Sequence, residues 1–164
     1  MKKLIAYSSI GHMNTATLAI FTNDVNGMNA SIFFLISHGI ISSALFFIIG
    51  ILYDRFHTRT IKYYRGISLI MPNFSLFFII FTFANIAVPG TSGFICEFLT
   101  FLAAFNLNPF IGILSSSAIV LAPAYSLWFY HKIAYGTISP YFSSIWSDIS
   151  KKEFHILSPL LFFT

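Results

Sequence analysis

The stretch IAVPGTSGFICEF, residues 86–98, decides how the chain folds, because it separates apolar runs at residues 75–84 and 98–105. It contains a proline, two glycines and one carboxylate, that of Glu97. Proline removes a helical hydrogen bond and glycine accepts a positive φ, so a helix that reaches this stretch must stop and restart. A charge beside a helix break at membrane depth is tolerated only where protein or a water-filled cavity surrounds it. The pattern therefore indicates a site for ions or protons.

The composition predicts an integral membrane protein. Of the 164 residues, 57% are hydrophobic and only 9% are charged, whereas a soluble domain carries about 25% charged residues. The single cysteine excludes a disulfide within the chain. The formal charge of +4 does not indicate nucleic-acid binding, because the basic residues lie between apolar runs and not on one soluble face. Membrane lipid is the expected surrounding.

The lengths of the apolar runs predict an all-α integral membrane protein with about four transmembrane helices plus a partial fifth. The expected spans, within a single transmembrane domain of residues 1–164, are 4–22, 30–53, a broken 74–105, 110–130 and a partial 154–164. A turn at 23–29, a basic loop at 54–65 and a polar connection at 130–153 join them. The last helix is expected to be either truncated or interfacial.

The run at 74–105 could form two short spans or one crossing that is discontinuous at residues 89–93. Lys2 and Lys3 orient the N-terminal end to the inside by the positive-inside rule. A single broken crossing keeps the basic loop and the later Lys132 on that same side, whereas two crossings would put Lys132 outside. Each half is also too short to span ~30 Å alone at ~1.5 Å per residue. One broken crossing is therefore predicted.

One face of each of the first two spans is mostly polar, because residues three and four apart share a helix face. These faces carry Ser8, His12 and Thr15 in the first span, and Ser31, Leu35, His38 and Ser42 in the second. Both faces are expected to turn away from lipid.

His12, His38 and Glu97 are the ionisable residues expected at membrane depth. Such residues are functional candidates by default, and a histidine takes up and releases protons near pKa 6.5. The neighbouring serines are expected to hold water that links the histidines into a relay. A purely structural alternative remains for each: a histidine that only hydrogen-bonds a carbonyl, or Glu97 as the cap of the restarted helix.

Other polar or reactive residues favour structural roles. Tyr125 is interpreted as a packing or interhelical hydrogen-bonding residue, and Cys96 as a small buried residue. The histidines have no metal-ligand spacing, so no metal site is predicted. The sequence also lacks a phosphate-binding loop, a nucleophile–base triad and a marker of a redox centre.

Several segments together resemble the antiporter-like membrane subunits of respiratory complex I. They are KLIAYSSIGHM at 3–13, ISHG at 36–39, YDRFHTR at 53–59, PGTSGFICEF at 89–98 and YSL at 125–127, in the order of that family over residues 2–130. The family patterns are K-x-x-I-A-Y-S-S-x-x-H-M, I-A-H-G, Y-E-R-x-H-T-R, P-G-T-x-x-F-x-G-E-F and Y-S-L. Among these subunits the chain is most similar to NADH dehydrogenase subunit 4, since the others usually have lysine where Glu97 stands.

This resemblance implies part of the second inverted repeat of an antiporter-like fold. It implies a proton-translocating subunit of NADH:ubiquinone reductase, in which His12 and His38 belong to a central hydrophilic axis and Glu97 lies on a broken helix toward the outer side. Lys2 would be a contact for proton uptake at the inner start of the first span. Cys96 departs from the family pattern, which has glycine there.

The same resemblance implies that this chain has no redox cofactor of its own. NAD, FMN, iron–sulfur clusters and ubiquinone would be held by other subunits of the complex. The family members are much longer upstream, so a separate polypeptide from a split gene is expected to supply the N-terminal half, unless the chain is a fragment. Other membrane-arm subunits are the remaining expected partners.

The abundance of Phe, Ile and Asn favours an AT-rich organellar gene, and hence the mitochondrial inner membrane, with a bacterial plasma membrane as the alternative. Two other functions remain open. The chain could be a piece of a multi-subunit cation/proton antiporter, or a scaffold that completes a membrane arm without pumping.

Overall fold

The computed structural model describes residues 1–138 and 147–164, and within these ranges the secondary structure is entirely helical, as predicted. The seven α-helices are α1 (Lys2–Phe21), α2 (Val25–Phe56), α3 (Ile67–Ile70), α4 (Pro72–Asn85), α5 (Ser92–Leu107), α6 (Pro109–Ala134) and α7 (Lys151–Phe162). A single 3₁₀ turn, Ile61–Tyr63, precedes α3.

The predicted turn at 23–29 is wrong, because α2 already begins at Val25. Asn23 adopts a left-handed conformation with φ of 52°, which reverses the chain within very few residues. Gly27 then packs against the end of α1, where a Cβ would lie 2.6 Å from the carbonyl oxygen of Ala19. Only glycine permits this approach of α2 to α1.

At its other end, α2 runs to Phe56, three residues beyond the predicted span. Asp54 and Arg55, expected in the basic loop, are therefore helical. The helix ends at His57, which has a φ of 51° and donates its backbone N–H to the carbonyl of Tyr53 at 2.7 Å. A left-handed residue after the last helical turn is a common helix stop, although glycine is the usual residue there.

The helices α4 and α5 follow α2 in reverse order, one beyond the other. Contacts along the way join Met71 to Arg55, Ser92 to Ser37, and the vicinity of Ala103 to Gly27. This order is the one that a single interrupted crossing requires, because two separate crossings would return the chain along itself.

By length and composition, two of the described helices could cross a membrane, namely α2 and α6. The helices α4 and α5 are apolar but have 14 and 16 residues, or about 21 and 24 Å at ~1.5 Å per residue. Each is shorter than a bilayer core of ~30 Å. About four crossings and one broken span thus stay predictions.

One half of the bundle holds an aromatic core. We use that name for the rings of Phe74, Phe78, Phe81, Phe129 and Tyr130 together with the aliphatic side chains of Ile48, Leu52, Met71, Ile133 and Leu157. The ring of Phe78 lies 5.7 Å from that of Phe129 and 5.3 Å from that of Tyr130, centre to centre. The Tyr130 hydroxyl is 2.8 Å from the hydroxyl of Ser75, so its polar end is satisfied within the core.

The helix α7 begins three residues before the predicted partial span, and Ser150 and Glu153 form a capping box at its start. Leu157 is fully buried in the aromatic core. One side chain of α7 thus packs inside the bundle, and whether the last helix is truncated or interfacial stays a prediction. The predicted polar connection at 130–153 begins later than expected, since α6 reaches Ala134, and its residues 139–146 lie outside the described residues.

A polar clamp joins α2, α4 and α7 at the end of the aromatic core. The Arg55 guanidinium donates to Oε2 of Glu153 at 2.8 Å and to the carbonyl of Asp148 at 3.1 Å. The Asp148 carboxylate accepts the backbone N–H groups of Asn73 and Phe74 at 3.2 Å each. A carboxylate at a helix N-terminus is stabilised by the helix dipole, so this clamp fixes the start of α4.

Candidate functional site

The interruption between α4 and α5 is a helix stop of the Schellman type. The backbone N–H of Val88 donates to the carbonyl of Phe83 at 3.2 Å, and that of Ala87 to the carbonyl of Ala84 at 3.2 Å. Ala87 has a φ of 57°, a left-handed conformation that disfavours a side chain. The sequence pattern of proline and glycine predicted the break, but not that an alanine would make its sharpest bend.

The restart of α5 is packed tightly against the end of α4. A Cβ on Gly93 would lie 3.2 Å from the carbonyl oxygen of Ala84, which only a small shift could accommodate. The new helix begins at Ser92, whose side-chain oxygen lies 2.7 Å from that of Ser37 on α2. These contacts hold the first turns of α5 beside the middle of α2.

Glu97 is not a cap of α5, because it lies in the second turn and no acidic residue occupies the first. Its carboxylate turns toward α1, where Oε1 is 3.4 Å from Nδ1 of His12. The Glu97 side chain is 15% exposed and the His12 side chain is 9% exposed. The bundle therefore brings together, from two helices, a carboxylate and a histidine that are 85 residues apart.

His38 completes this group from α2. Its ring centre is 5.3 Å from that of His12, and the two planes meet at 43°. Phe34 lies against both histidines, with ring centres at 5.8 Å from His12 and 6.5 Å from His38. The structure thus places three of the four predicted site residues side by side, and we call them the His12 cluster (His12, His38 and Glu97).

The predicted polar face of α2 contained two errors, at Leu35 and at Ser42. Leu35 is 47% exposed and points away from the cluster, whereas Phe34 is buried. Ser42 is only partly buried, and Ile41 is buried in its place, because the inward positions of α2 follow the spacing 31, 34, 38 and 41. Ser37 is also buried, next to His38. The face of α1 is as predicted, with Ser8 and His12 buried.

Lys2, the fourth predicted site residue, lies apart from the cluster. Its ammonium nitrogen is 5.3 Å from the ring centre of Tyr53, in a cation–π contact at the start of α1. It precedes His12 by ten residues, about 15 Å along the helix. Any role of Lys2 in proton uptake would therefore be exerted at a distance.

Open spaces adjoin the His12 cluster on two sides. A cavity of about 180 Å³ lies between α1, α5 and α6, where it is lined by Ser8, His12, Thr15, Glu97 and Tyr125 among others. A larger groove of about 410 Å³ extends from Glu97 along α5 to Asn106. Glu97 lines both spaces, so its carboxylate lies at their junction.

Tyr125 is the site residue that sequence reasoning missed. It was interpreted as a packing residue, yet it lines the cavity that also contains His12 and Glu97. The YSL segment at 125–127 was noted only as part of the family resemblance, and it did not indicate that the approach of α6 to α1 brings Tyr125 into the cavity wall. Cys96, by contrast, is fully buried as expected, and its thiol lies 3.1 Å from the carbonyl of Ser92.

Among residues 1–138 and 147–164, no group of three or more His, Cys, Asp or Glu side chains is arranged to hold a metal ion. The chemistry that the cluster itself offers is proton exchange between imidazole and carboxylate.

An apolar helical bundle in which a carboxylate on a restarted helix meets two buried histidines is typical of membrane proteins that carry ions or protons. Residues 1–122 match the family described as NADH:quinone oxidoreductase/Mrp antiporter, TM. The chain therefore belongs to this family of membrane subunits.

Individual relatives support this family assignment. The chain is 44% identical to NADH-ubiquinone oxidoreductase chain 4 of Prototheca wickerhamii over 98% of its own length and 31% of that protein. It is 43% identical to NADH-quinone oxidoreductase subunit M of Rhodobacter capsulatus, over 100% of its own length and 32% of that protein. The chain thus spans about a third of the length of these relatives.

A solved structure has the same fold. In the structure described as respiratory complex I from Thermus thermophilus with bound NADH, one chain superimposes with a TM-score of 0.89 and 29% identity. The match covers 99% of this chain and 34% of that one. The helical arrangement is therefore that of an antiporter-like subunit of complex I.

Proposed function

We propose that this chain moves protons in the membrane arm of a NADH:quinone oxidoreductase, with the His12 cluster as its relay. The observation that carries the proposal is the 3.4 Å approach of Nδ1 of His12 to Oε1 of Glu97 beside an interrupted helix. A histidine and a carboxylate so close exchange a proton without changing their joint charge. Buried ionisable groups are otherwise expensive in a membrane.

The distances between its members support one order for the proposed relay. A proton on His38 reaches His12, whose ring centre is 5.3 Å away, and then passes from Nδ1 of His12 to the Glu97 carboxylate. Glu97 then releases it into the groove that extends along α5 to Asn106. Because the predicted orientation puts the end of α5 outside, release in this direction would move protons outward.

Lys2 would serve at the opposite end of the same path. It lies at the start of α1, on the side that the positive-inside rule assigns to the interior. The Lys2 ammonium would act at the entrance of the proton path, far from the His12 cluster. Its removal should therefore slow proton uptake less than the loss of Glu97 slows proton transfer.

The complex-level function is inferred from the relatives named above. The chain would couple NADH:ubiquinone electron transfer to proton pumping as one subunit of the reductase, while NAD, flavin, iron–sulfur clusters and quinone bind to other subunits. Its surroundings would be the mitochondrial inner membrane and the other membrane-arm subunits. Mass spectrometry of the purified complex would identify these partners. It would also show whether the sequence that fills the remaining length of the relatives lies in the same polypeptide or in a separate one.

The test is Glu97→Gln in the assembled enzyme, reconstituted in vesicles. The substitution keeps the size of the side chain but removes its proton-accepting charge, so transfer through this chain should slow by about 100-fold or more, the scale of general acid–base catalysis. The measurements are protons moved per NADH oxidised, and NADH oxidation by a soluble acceptor. The second of these should not change.

Asp54→Asn is the matched control, since Asp54 is an exposed carboxylate at the end of α2. If Glu97→Gln assembles normally and its proton yield is unchanged, the proposed relay is wrong and the chain acts as a scaffold that does not pump.

The family description also includes Mrp antiporters, so cation/proton exchange is the second candidate. It predicts a pH gradient that depends on sodium and forms without NADH. Finding such exchange in vesicles that lack the NADH-oxidising subunits would replace the proposed function.

A further inference from the structure

A second groove approaches the His12 cluster from the start of α1. It has a volume of about 490 Å³ and is lined by Leu4, Tyr7, Ser8, Gly11 and Tyr125. Three of these residues, Ser8, Gly11 and Tyr125, also line the cavity that contains His12 and Glu97. The groove and the cavity therefore adjoin at these three residues, between α1 and α6.

The two nitrogens of His12 face different situations. Nδ1 is 3.4 Å from Glu97, whereas Nε2 is buried and has no hydrogen-bond partner among the described residues. His12 as a whole is 7% exposed. A buried polar atom normally has a partner, and ordered water supplies it where polar groups and space allow. The cavity, with Ser8, Glu97 and Tyr125 in its wall, offers both.

We propose that the α1–α6 groove is a direct route for protons to His12, and that Tyr125 and Ser8 position the water that links this groove to Nε2. The inference rests on the proposed function and adds a source of protons other than His38. This water passes a proton to Nε2, which forms the imidazolium, and takes a replacement proton from water in the groove. The imidazolium then gives its Nδ1 proton to the Glu97 carboxylate, which becomes a neutral acid. One proton has moved from the groove to Glu97, and His12 is again neutral but carries its proton on Nε2. Its return to the Nδ1–H form, by tautomerisation or rotation of the ring, precedes the next transfer.

Gly11 provides a way to close this route without disturbing the fold. It is helical, and a Cβ added there would meet no atom within 4 Å. Gly11→Leu therefore fills the groove where it joins the cavity, and leucine favours a helix more than glycine does. Gly50→Leu is the matched control, because Gly50 lies on α2 and also has open space at its Cβ position.

The groove itself is tested by cysteine labelling in the assembled enzyme, with Cys96 replaced by alanine. Gly11→Cys should react with a charged, membrane-impermeant thiol reagent added from the side of the α1 N-terminus, because only a thiol in contact with water ionises readily. Gly50→Cys should not react, because position 50 lines neither this groove nor the cavity. Equal reactivity of the two positions, or labelling of Gly11→Cys only from the opposite side, would overturn the route.

Proton transfer is tested by Tyr125→Phe, with Tyr135→Phe as the control at the exposed end of α6. Loss of one positioning hydroxyl should slow NADH-driven pumping by about three- to tenfold, which corresponds to the net free energy of one hydrogen bond. It should also change the solvent isotope effect and the pH profile, which a packing defect would leave alone. Gly11→Leu should lower the proton yield as well.

Glu97→Gln separates the two levels of inference. If Glu97→Gln lowers the proton yield while Gly11→Leu and Tyr125→Phe behave like their controls, the relay stands and this route is wrong. If Glu97→Gln has no effect, the proposed function itself fails.

Discussion

The two halves of this bundle are built on opposite principles, although the long helices α2 and α6 run through both. Around Phe78, rings and aliphatic side chains exclude solvent, and the Ser75–Tyr130 pair satisfies its own polar atoms. Around His12, the buried apolar cluster shrinks to Ala16, Phe34 and Cys96, and cavities take the place of close packing. The difference separates the region that we expect to stabilise the chain from the region that holds the proposed site.

The His12 cluster is costly to bury, because a partly desolvated carboxylate and two imidazoles gain less from each other than they lose from water. The aromatic core offsets this cost along the same helices. Since α2 and α4–α5 connect the two regions, a rigid core also holds the cluster at its spacing. The proposed proton relay would need this combination of fixed geometry and local space.

The comparison is tested most strongly by Phe78→Ala. Its ring is 1% exposed and contacts those of Phe129 and Tyr130, so its removal should lower the free energy of unfolding by about 3–5 kcal/mol. Phe98→Ala on α5, where the ring is 57% exposed, should change it by less than about 0.5 kcal/mol. Thermal unfolding in lipid nanodiscs measures both. Equal losses would mean that the two regions are packed alike.

A smaller effect is expected at the polar clamp. Arg55→Met removes the charged hydrogen bonds to Glu153 and to the carbonyl of Asp148, and should cost about 1.5–3 kcal/mol. The loss should appear first as faster hydrogen exchange in α7. Lys62→Met serves as the control, because Lys62 is exposed. If α7 exchanges no faster than in that control, the clamp does not hold it on the aromatic core.

The smallest effect, and the only stabilising one, is expected at the helix interruption. Ala87→Gly should raise the free energy of unfolding by about 1 kcal/mol, because it relieves a left-handed alanine with φ of 57°. Ala84→Gly, in the last turn of α4 where the backbone is still helical, should lower it by up to about 1 kcal/mol. Chemical denaturation compares the two variants. A loss of stability in both would show that the interruption does not depend on a left-handed residue at 87.

The sequence alone predicts much of the helical framework around the aromatic core. For the His12 cluster it predicts only which residues belong to it. Apolar run lengths locate the helices to within a few residues, and Pro89 with its glycines locates the interruption. The errors at residues 23–29 and at Leu35 have local causes: a left-handed Asn23 shortens the turn, and a shift of one position moves a side chain to another helix face.

The geometry of the cluster could not be predicted in the same way. Intramembrane charge singles out His12, His38 and Glu97, but helix periodicity says nothing of which residues from α1 and α5 face one another. Tyr125 illustrates the limit, because only the packing of α6 against α1 turns an ordinary aromatic residue into part of the cavity wall.

The central claim is that His12 and Glu97 act as one unit, and a double-mutant cycle tests it most directly. Proton yield per NADH would be measured in the assembled enzyme for His12→Gln, Glu97→Gln and the double variant. Groups that act together are non-additive, so each single substitution should lower the yield about as far as the double one. Independent, additive losses, or single variants that pump normally, would contradict the relay.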